Sequence, residues 1–456
     1  MTIASPDLSQ LRSTVEGAVV GPGEDGWDAA RRAWNLTTDQ RPSAVALPES
    51  AADVAAVVRF AGANGLRVAT QGTGHGANAL TALDGVVLLK TERMRGVSVD
   101  PAARRARVEA GVLGGELGPA AAEHGLTSLG GSSPDVGVVG FAIGGGIGWL
   151  SRRHGLTCNS ITEAEVVTAD GEQVRANSDE NTDLYWALRG GGGDFGVVTA
   201  LELELFPIET VYAGSLMFPA ALGVELVPAY LDWVRTVPDE LTTGVRFLYL
   251  PPIPEVPEPL RGVPIVDVTG AFIGDAAEGA ALLEPLRSLG DPIIDGWAEI
   301  PAPGLSRING DPEQPSPGVT HHTVVGDLTD GAAEAFIGVA GPDSGTPLLA
   351  VATRHLGGAL ASAPPGAGAL GQVEGEHVIN GVGLAMQPDV VPVLNAALDR
   401  TVEAFEPWST GVHYLNFADR PSDGSKGFDA QAWSRLLDVK KSVDPNGLFL
   451  AAHPVV

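Results

Sequence analysis

A glycine-rich turn with a histidine at its centre is the stretch of this sequence best suited to chemistry. It covers residues 70–78, reads TQGTGHGAN, and sets His75 between Gly74 and Gly76. Glycine has no side chain that would separate a ligand from the backbone. Successive backbone N–H groups in such turns bind anions, commonly phosphate. A phosphate site needs no histidine, so His75 indicates contact with another part of a ligand. For the motif taken alone, a solvated or capping histidine in an ordinary turn is the alternative.

Two further glycine-rich stretches follow and favour a binding site. Residues 130–155 interleave glycines with valine, isoleucine, phenylalanine and tryptophan, whereas a flexible linker would be polar. Residues 189–196, RGGGGDFG, lead into a strand pattern over 197–206.

Regular elements are predicted on either side of these turns. A strand over 41–48, a helix over 49–64 that Ser50 caps, and a strand over 66–69 form a β-α-β unit that ends at the first turn. Alternating residues on both sides of Asp170-Gly171 predict a β-hairpin, and a second hairpin is predicted around Asp100-Pro101.

The pattern of predicted elements changes after Pro207. Longer strand and helix patterns follow, with helices predicted over 223–234 and 275–289, and no glycine-rich turn of the earlier kind. The tail then returns to a dense, specific pattern over 411–419, followed by a helix over 431–442. We therefore expect three parts, residues 1–208, 209–408 and 409–456.

Composition narrows the classes of function. The length of 456 residues fits two to three domains, and the formal net charge of −28 argues against nucleic acid and anionic membrane surfaces as partners. No apolar run is long enough to span a membrane, and the first residues do not resemble a secretory signal, so a cytoplasmic protein is expected, as a monomer or homodimer. The single cysteine, Cys158, excludes an intrachain disulfide and cysteine-based zinc clusters and is expected to be a buried thiol.

The sequence gives little support for a metal ion or for NAD(P) as a cofactor. His321 and His322 are adjacent in a predicted strand, so their side chains point to opposite faces, and no metal site is predicted. No dinucleotide fingerprint or P-loop is complete, so NAD(P) is not expected.

Taken in order, the motifs resemble a known family. TQGTGHG, GSSPDVGVVGFAIGGGIGWLSRRHGL, VVTADGE, DLYWALRGGGGDFGVVT and YLNF with RLLDVKKSVDPNGLF are similar to the berberine-bridge-enzyme-like FAD-linked oxidases of the vanillyl-alcohol-oxidase/PCMH superfamily, the 6-hydroxynicotine-oxidase type in particular. The resemblance covers residues 40–210 and 409 to the end. It implies an α+β fold, with a PCMH-type FAD-binding domain of two α/β subdomains and a substrate domain whose large, seven-stranded antiparallel sheet is covered by helices.

The resemblance also implies how FAD is held. His75 occupies the place of the histidine that bonds covalently to the flavin, and Ser133 stands where many relatives have a second, cysteine link, so a single covalent bond is expected. Val136 matches a position at which valine goes with reactivity towards O₂. The residues assigned to the cofactor are Gln71, Gly72, Thr73, Gly74, His75, Gly76, Asn78, Gly131, Ser132, Ser133, Val136, Gly137, Gly140, Gly144, Gly145, Gly146, Gly148, Val166, Gly196, Val198 and Asn416.

Tyr414 is the candidate catalytic base. In a strand it shares a face with Asn416, which the resemblance places at the flavin; a buried core tyrosine is the alternative. Arg246, Tyr249 and Trp297 are candidates for the substrate pocket.

The expected function is therefore that of an FAD-dependent oxidase. Hydride would pass from an alcohol, sugar or amine carbon of a small metabolite, in secondary metabolism, to covalently bound FAD, with O₂ as acceptor giving H₂O₂. The alternatives are an FAD-dependent dehydrogenase, a non-redox flavoprotein with a cyclase or binding role and, in a separate class, a metal hydrolase built on His321 and His322.

Overall fold

The computed structural model describes residues 7–456 and builds the chain around three β-sheets. The first has four strands in the order β1-β2-β4-β3, of which β2, β4 and β3 are parallel. Its strands and helices are β1 (Ala18–Val20), β2 (Ala44–Leu47), β3 (Arg67–Gln71), β4 (Val86–Lys90), α1 (Ser9–Arg12), α2 (Trp27–Arg31) and α3 (Ala51–Ala63). Helix α3 starts where Ser50 accepts a hydrogen bond from the Asp53 amide, as predicted.

The second sheet has five strands in the order β5-β6-β9-β7-β8, all antiparallel. Both predicted hairpins are confirmed as β5-β6 and β7-β8. The elements are β5 (Val97–Asp100), β6 (Arg105–Glu109), β7 (Ile161–Val167), β8 (Gln173–Asn177), β9 (Val197–Glu204), α4 (Gly114–Ala122), α5 (Val138–Ile143), α6 (Ser151–His154) and α7 (Thr182–Leu188).

The third sheet is antiparallel and has eight strands, one more than expected, because two short strands, β13 and β14, pair with the same strand, β10. Its order is β13-β10-β12-β11-β16-β17-β15. The elements are β10 (Thr210–Pro219), β11 (Leu241–Tyr249), β12 (Pro264–Phe272), β13 (Ile294–Asp295), β14 (Ala298–Pro301), β15 (Gly318–Val325), β16 (Ala350–His355), β17 (His377–Leu384), α8 (Gly223–Trp233), α9 (Ala276–Arg287), α10 (Ala332–Ala340) and α11 (Val391–Ala404).

The two faces of this large sheet differ in chemistry. Val245 and Phe247 of β11 and Val351 of β16 pack into the core beneath the helices. Because side chains alternate along a strand, Arg246 and Ala352 point to the opposite, inner face, towards the first two sheets. The α+β class and the helix-covered sheet are thus confirmed. The predicted limits of the three parts stay predictions.

The tail returns to the first half of the chain. Helix α12 (Ala430–Val443) precedes a short pairing in which the Val68 amide donates to the Leu448 carbonyl at 2.8 Å and the Leu450 amide donates to the Val68 carbonyl at 2.9 Å. Lys440 anchors the helix, with Nζ 2.8 Å from Asp444 Oδ2 and 2.7 Å from the Asp194 carbonyl. The strand geometry expected for Tyr414 and Asn416 is wrong, because Leu415–Phe417 forms a single 3₁₀ turn.

Candidate active site

The first glycine turn presents His75 beyond the end of β3. Gly74 adopts φ +88°, and a Cβ there would lie 2.8 Å from both Ala33 Cβ and Gln71 Nε2. Only glycine therefore fits the bend that turns the next residue away from the sheet.

Three side chains fix the His75 ring. Its Nδ1 is 2.7 Å from Thr73 Oγ1, and the ring stacks on the Trp34 indole with centroids 4.1 Å apart and planes at 19°. Its Nε2 is 3.7 Å from Asp135 Oδ2, and the Trp34 indole N–H donates to that same oxygen. The imidazole is thereby held in one orientation.

Asp135 and Trp34 are site residues that the sequence interpretation missed. Burial opposes ionisation of Asp135, but the neighbouring His75 ring and the hydrogen bond from Trp34 outweigh it and hold the pKa of this carboxyl below its usual value. A carboxylate thus faces the imidazole at neutral pH. Asp135 lies in the glycine-rich stretch GSSPDVG, where an acidic residue could have been recognised as a candidate. Nothing in the sequence around Trp34 indicates a role in the site.

Three buried polar atoms around this histidine lack hydrogen-bond partners within residues 7–456. His75 Nε2, Gln71 Nε2 and Asp135 Oδ1 are buried and have no hydrogen-bond partner among the described residues. Because buried polar groups in folded proteins are nearly always paired, three such atoms in one place fit a polar ligand that completes them.

The second glycine-rich stretch lines open space next to Asp135. Two adjoining cavities, the second larger than the first, share Gly130, Gly131 and Ser133 in their walls. Val136 borders the first and Trp149 the second. Ser132, adjacent in sequence, is half-buried, and Ser133 Oγ donates to Asp311 Oδ2 at 3.1 Å.

The glycines assigned to the cofactor fall into two groups. A Cβ at Gly76 or Gly140 would meet nothing within 4 Å, and those at Gly72 and Gly137 would meet nothing nearer than 3.9 and 3.8 Å. These four leave room for a ligand, and at Gly131 only the Phe141 ring approaches, at 3.1 Å.

Gly144, Gly145, Gly146 and Gly148 belong to the other group. A Cβ on Gly144 would overlap the Asn416 amide, and one on Gly148 would overlap the Gly130 carbonyl. Gly145 and Gly146 have φ of +125° and +80°. This run is glycine-rich because other parts of the chain pack directly on its backbone. Its contact with the cofactor stays a prediction.

Four further assignments also meet protein contacts instead of a cavity. Val166 and Val198 are 1% and 4% exposed in the core, and a Cβ on Gly196 would lie 2.5 Å from Val166 Cγ1. The Asn78 amide is fully occupied, because its Oδ1 accepts from the hydroxyls of Thr37 and Thr38, while its Nδ2 donates to Asp419 Oδ2 at 3.1 Å and faces the Gly318 carbonyl at 3.3 Å. Their side chains have structural partners, and Asn78 joins two parts of the fold.

Tyr414 and Asn416 meet despite the absence of the predicted strand. Asn416 Nδ2 donates to the Phe141 carbonyl at 2.9 Å and lies 3.5 Å from Tyr414 Oη. Tyr414 is only 2% exposed, and burial raises the pKa of its hydroxyl. This environment favours the core tyrosine that was the alternative, and the role of base stays a prediction.

The histidine pair lies on β15 with its members on opposite faces. His322 is on the inner face, where its Nε2 accepts from the Tyr414 amide at 3.2 Å, and burial lowers its pKa to about 3. Over residues 7–456 there is no group of three or more potential metal-binding side chains, nor a helix long and apolar enough to cross a membrane. Cys158 is a buried thiol, as expected.

Of the three substrate-pocket candidates, Arg246 reaches the inner face and two do not. Tyr249 and Trp297 pack on the helix-covered side, where Tyr249 Oη donates to the Ala340 carbonyl at 2.7 Å and Trp297 Nε1 to the Val268 carbonyl at 3.3 Å. Placing Tyr249 and Trp297 in the pocket was wrong because the strand faces could not be assigned from the sequence.

Comparison with known proteins indicates a flavin-binding site. Residues 42–177 match the FAD binding domain family. The chain is 35% identical over 235 residues to (R)-6-hydroxynicotine oxidase of Paenarthrobacter nicotinovorans, a match covering 51% of each chain, and 33% identical over 269 residues to glucooligosaccharide oxidase of Sarocladium strictum, covering 58% of this chain and 51% of the relative. The matches thus span about half the length of these curated relatives.

Two solved structures share the fold over nearly the whole chain. The crystal structure of 6-hydroxy-D-nicotine oxidase from Arthrobacter nicotinovorans superposes with a TM-score of 0.84 at 26% identity, covering 99% of this chain and 100% of that one. The BBE-like 1 protein of Physcomitrella patens gives 0.85 at 24% identity, with the same coverage.

The match to the FAD binding domain family indicates FAD as the cofactor. In sequence and fold the chain is similar to the berberine-bridge-enzyme-like FAD-linked oxidoreductases. The open glycines, the adjoining cavities and the unpaired polar atoms around His75 fit that cofactor.

Proposed function

We propose that this protein is an FAD-dependent oxidase of a small metabolite and that it carries its flavin on a single covalent bond to His75. Bound FAD supplies the acceptor for a hydride from an alcohol, sugar or amine carbon and passes the electrons to O₂, giving H₂O₂. The observation that carries the proposal is the set of unpaired buried atoms around His75 beside the glycine-lined cavities.

The residues of this chain have separate tasks in the proposal. Trp34, Thr73 and Asp135 orient the imidazole whose free nitrogen bonds the flavin. Ser133 has no thiol for a second bond and donates instead to Asp311. Val136 leaves space for O₂ in the wall of the smaller cavity.

We also propose which parts of the chain bind the cofactor and which bind the substrate. Residues 1–208 with 409–456 hold the cofactor, and residues 209–408 bind the substrate. Location in the cytoplasm, and a monomeric or homodimeric state, stay predictions from the sequence.

Acid precipitation tests the covalent bond. We expect the wild-type pellet to stay yellow and the supernatant to be colourless, whereas His75→Ala releases its flavin because nothing else in the site can form the bond. His124→Ala, at an exposed histidine, is the matched control and should keep the colour in the pellet. A wild-type protein that is colourless and takes up no FAD would refute the proposal.

Anaerobic addition of alcohols, sugars and amines tests the activity. A substrate should bleach the flavin, and air should restore the colour within the turnover time. Bleaching that persists in air and is reversed by an artificial acceptor would instead identify a dehydrogenase. Absence of bleaching with every compound would favour the non-redox alternative.

A further inference from the structure

A row of side chains crosses the inner face of the large sheet opposite the glycine-rich loops. Strand register aligns Asp267 of β12, Arg246 of β11, Ala352 of β16, Asn380 of β17 and His322 of β15 side by side. Arg354 is two residues beyond Ala352 on the same face.

The middle of this row borders open space. Arg246, Ala352, Arg354 and Asn380 are each half-buried, although they lie on inner strands of a sheet covered on both sides. Ala352 has only a methyl group between two longer side chains. The gap over Ala352 is therefore flanked by Arg246 on one strand and Asn380 on the other.

The charge of Arg246 is already compensated. Its Nε donates to Asp267 Oδ2 at 2.8 Å, and its terminal nitrogen donates to the Asn309 carbonyl at 3.1 Å. Asp267 also accepts hydrogen bonds from the hydroxyls of Ser215 and Thr269. These hydrogen bonds hold the Arg246 side chain in place at one side of the gap.

Arg354 is in a different state. Its guanidinium lies 4.5 Å from the centroid of the Trp149 ring, and it makes no hydrogen bond or ion pair within residues 7–456. Burial lowers the pKa of this guanidinium, and the carboxylate of Asp311 counteracts that effect from beyond ion-pair distance. A partly buried arginine that stacks on an aromatic ring without an anion is arranged to receive one.

Two more polar atoms near the gap lack partners. Trp149 Nε1 is a buried donor and Asn380 Oδ1 a buried acceptor, and neither has a hydrogen bond to the described residues. Trp149 also lines the larger cavity. A ligand with an oxyanion and an O–H or N–H group would satisfy the guanidinium, the indole and the amide.

We propose that Arg354 binds the carboxylate of the substrate, with the gap over Ala352 holding the neighbouring part of the molecule and Asn380 accepting one of its O–H or N–H groups. The substrate is thus a small organic acid that carries a hydroxyl or amine. The net charge of −28 makes the surroundings of the protein unfavourable for anions, so recognition depends on this local guanidinium. This inference rests on the proposed function, because it deepens the substrate class of the same site.

Calorimetric titration of the flavin-loaded protein tests the subsite without turnover. The probes are acetate, benzoate and 2-naphthoate, each compared with its primary amide, which keeps the shape and removes the charge. At least one acid should bind about tenfold or more tightly than its amide, the discrimination expected of a charge-assisted hydrogen bond. Equal binding of every pair, or binding of no acid, would overturn the proposal.

Variants test whether Arg354 causes the preference for the acid over its amide. Arg354→Gln should lose the preference for the acid, Arg354→Lys should keep part of it, and Ala352→Leu should weaken binding of the acid and the amide alike by filling the gap. Arg435→Gln is the matched control, because Arg435 also stacks on a tryptophan, Trp186 at 4.0 Å, but is exposed and pairs with Asp183. A preference that survives Arg354→Gln would refute the assignment.

The two proposals fail in distinguishable ways. Acid binding that depends on Arg354 in a protein whose flavin no compound reduces would sustain the subsite and refute the oxidase. Reduction by neutral alcohols or sugars, with no preference for acids, would sustain the oxidase and refute the subsite.

Discussion

The pairing of a histidine with a buried carboxylate is the main feature of the site at the scale of single residues. His75 alone is a weak nucleophile whose ring could rotate, whereas Trp34 and Thr73 fix its plane and Asp135 sets a negative charge 3.7 Å from Nε2. A carboxylate in that place stabilises the positive charge that develops on the imidazole as its free nitrogen bonds the flavin.

Asp135→Asn tests this effect. The variant keeps the shape and removes the charge, so we expect FAD to bind but the covalent bond to form about 10²-fold more slowly, the lower end of general-base effects. The measurement is the share of flavin that stays in the acid pellet at intervals after FAD is added to flavin-free protein. Asp311→Asn, at an acid that contacts Ser133 and not His75, should attach flavin at the normal rate. An unchanged rate in Asp135→Asn would contradict the role.

At the scale of elements, the run of glycines after α5 acts as a packing surface. The 3₁₀ turn at Leu415–Phe417 brings Asn416 onto Gly144, and the loop at Gly130 closes over Gly148. The element that lines the cofactor cavity and the segment that returns from the far end of the chain therefore depend on each other.

Gly148→Ala tests that dependence. The added methyl group would overlap the Gly130 carbonyl, and because both partners are backbone, we expect a loss of about 1–3 kcal/mol in the free energy of unfolding together with weaker retention of FAD. Gly62→Ala is the control, because Gly62 is exposed within α3, outside the cofactor site, and a Cβ there meets nothing within 4 Å. Its stability should stay equal or rise by about 0.5–1 kcal/mol, as alanine favours a helix over glycine. Equal thermal unfolding of the two variants would contradict the packing role.

At the scale of the whole molecule, Asp419 joins three parts of the chain. Its carboxylate accepts from Asn78 of the first glycine turn at 3.1 Å and from the Thr320 amide of the large sheet at 3.0 Å, and Asp419 itself belongs to the tail. Burial raises its pKa to about 6 against the effect of these two hydrogen bonds.

The raised pKa predicts how stability depends on pH. The folded state holds the Asp419 proton more tightly than the unfolded state, so this contribution is complete below about pH 4 and is lost as pH rises through about 6. The stability of Asp419→Asn relative to wild type, read from melting temperatures, should therefore rise as the pH increases from 4 through 6 and then level off. The total gain in free energy of unfolding should be about 3 kcal/mol at most. Asp423→Asn, at an exposed acid with a lowered pKa, should not show this rise. A constant difference for Asp419→Asn across that range would refute the assignment.

Sequence patterns captured the local features of this fold. Ser50 capping α3, the turn at Asp170-Gly171 and the bend around Gly74 depend on neighbouring residues, so composition and spacing were enough. The inner face of the sheet was not accessible in this way. Whether Arg246 or Tyr249 faces the cavity depends on which side the helices cover, and whether Arg354 lacks an anion depends on residues 40 or more positions away.

The short pairing between Val68 and residues 448–450 has a consequence for biosynthesis. One edge of β3 pairs with β4, and its other edge has its backbone partner at residues 448–450, while Lys440 ties the same segment to Asp194. Until residues 448–450 have left the ribosome, that edge of the first sheet has no backbone partner. The first sheet is therefore completed only after the whole of the intervening large sheet has been synthesised.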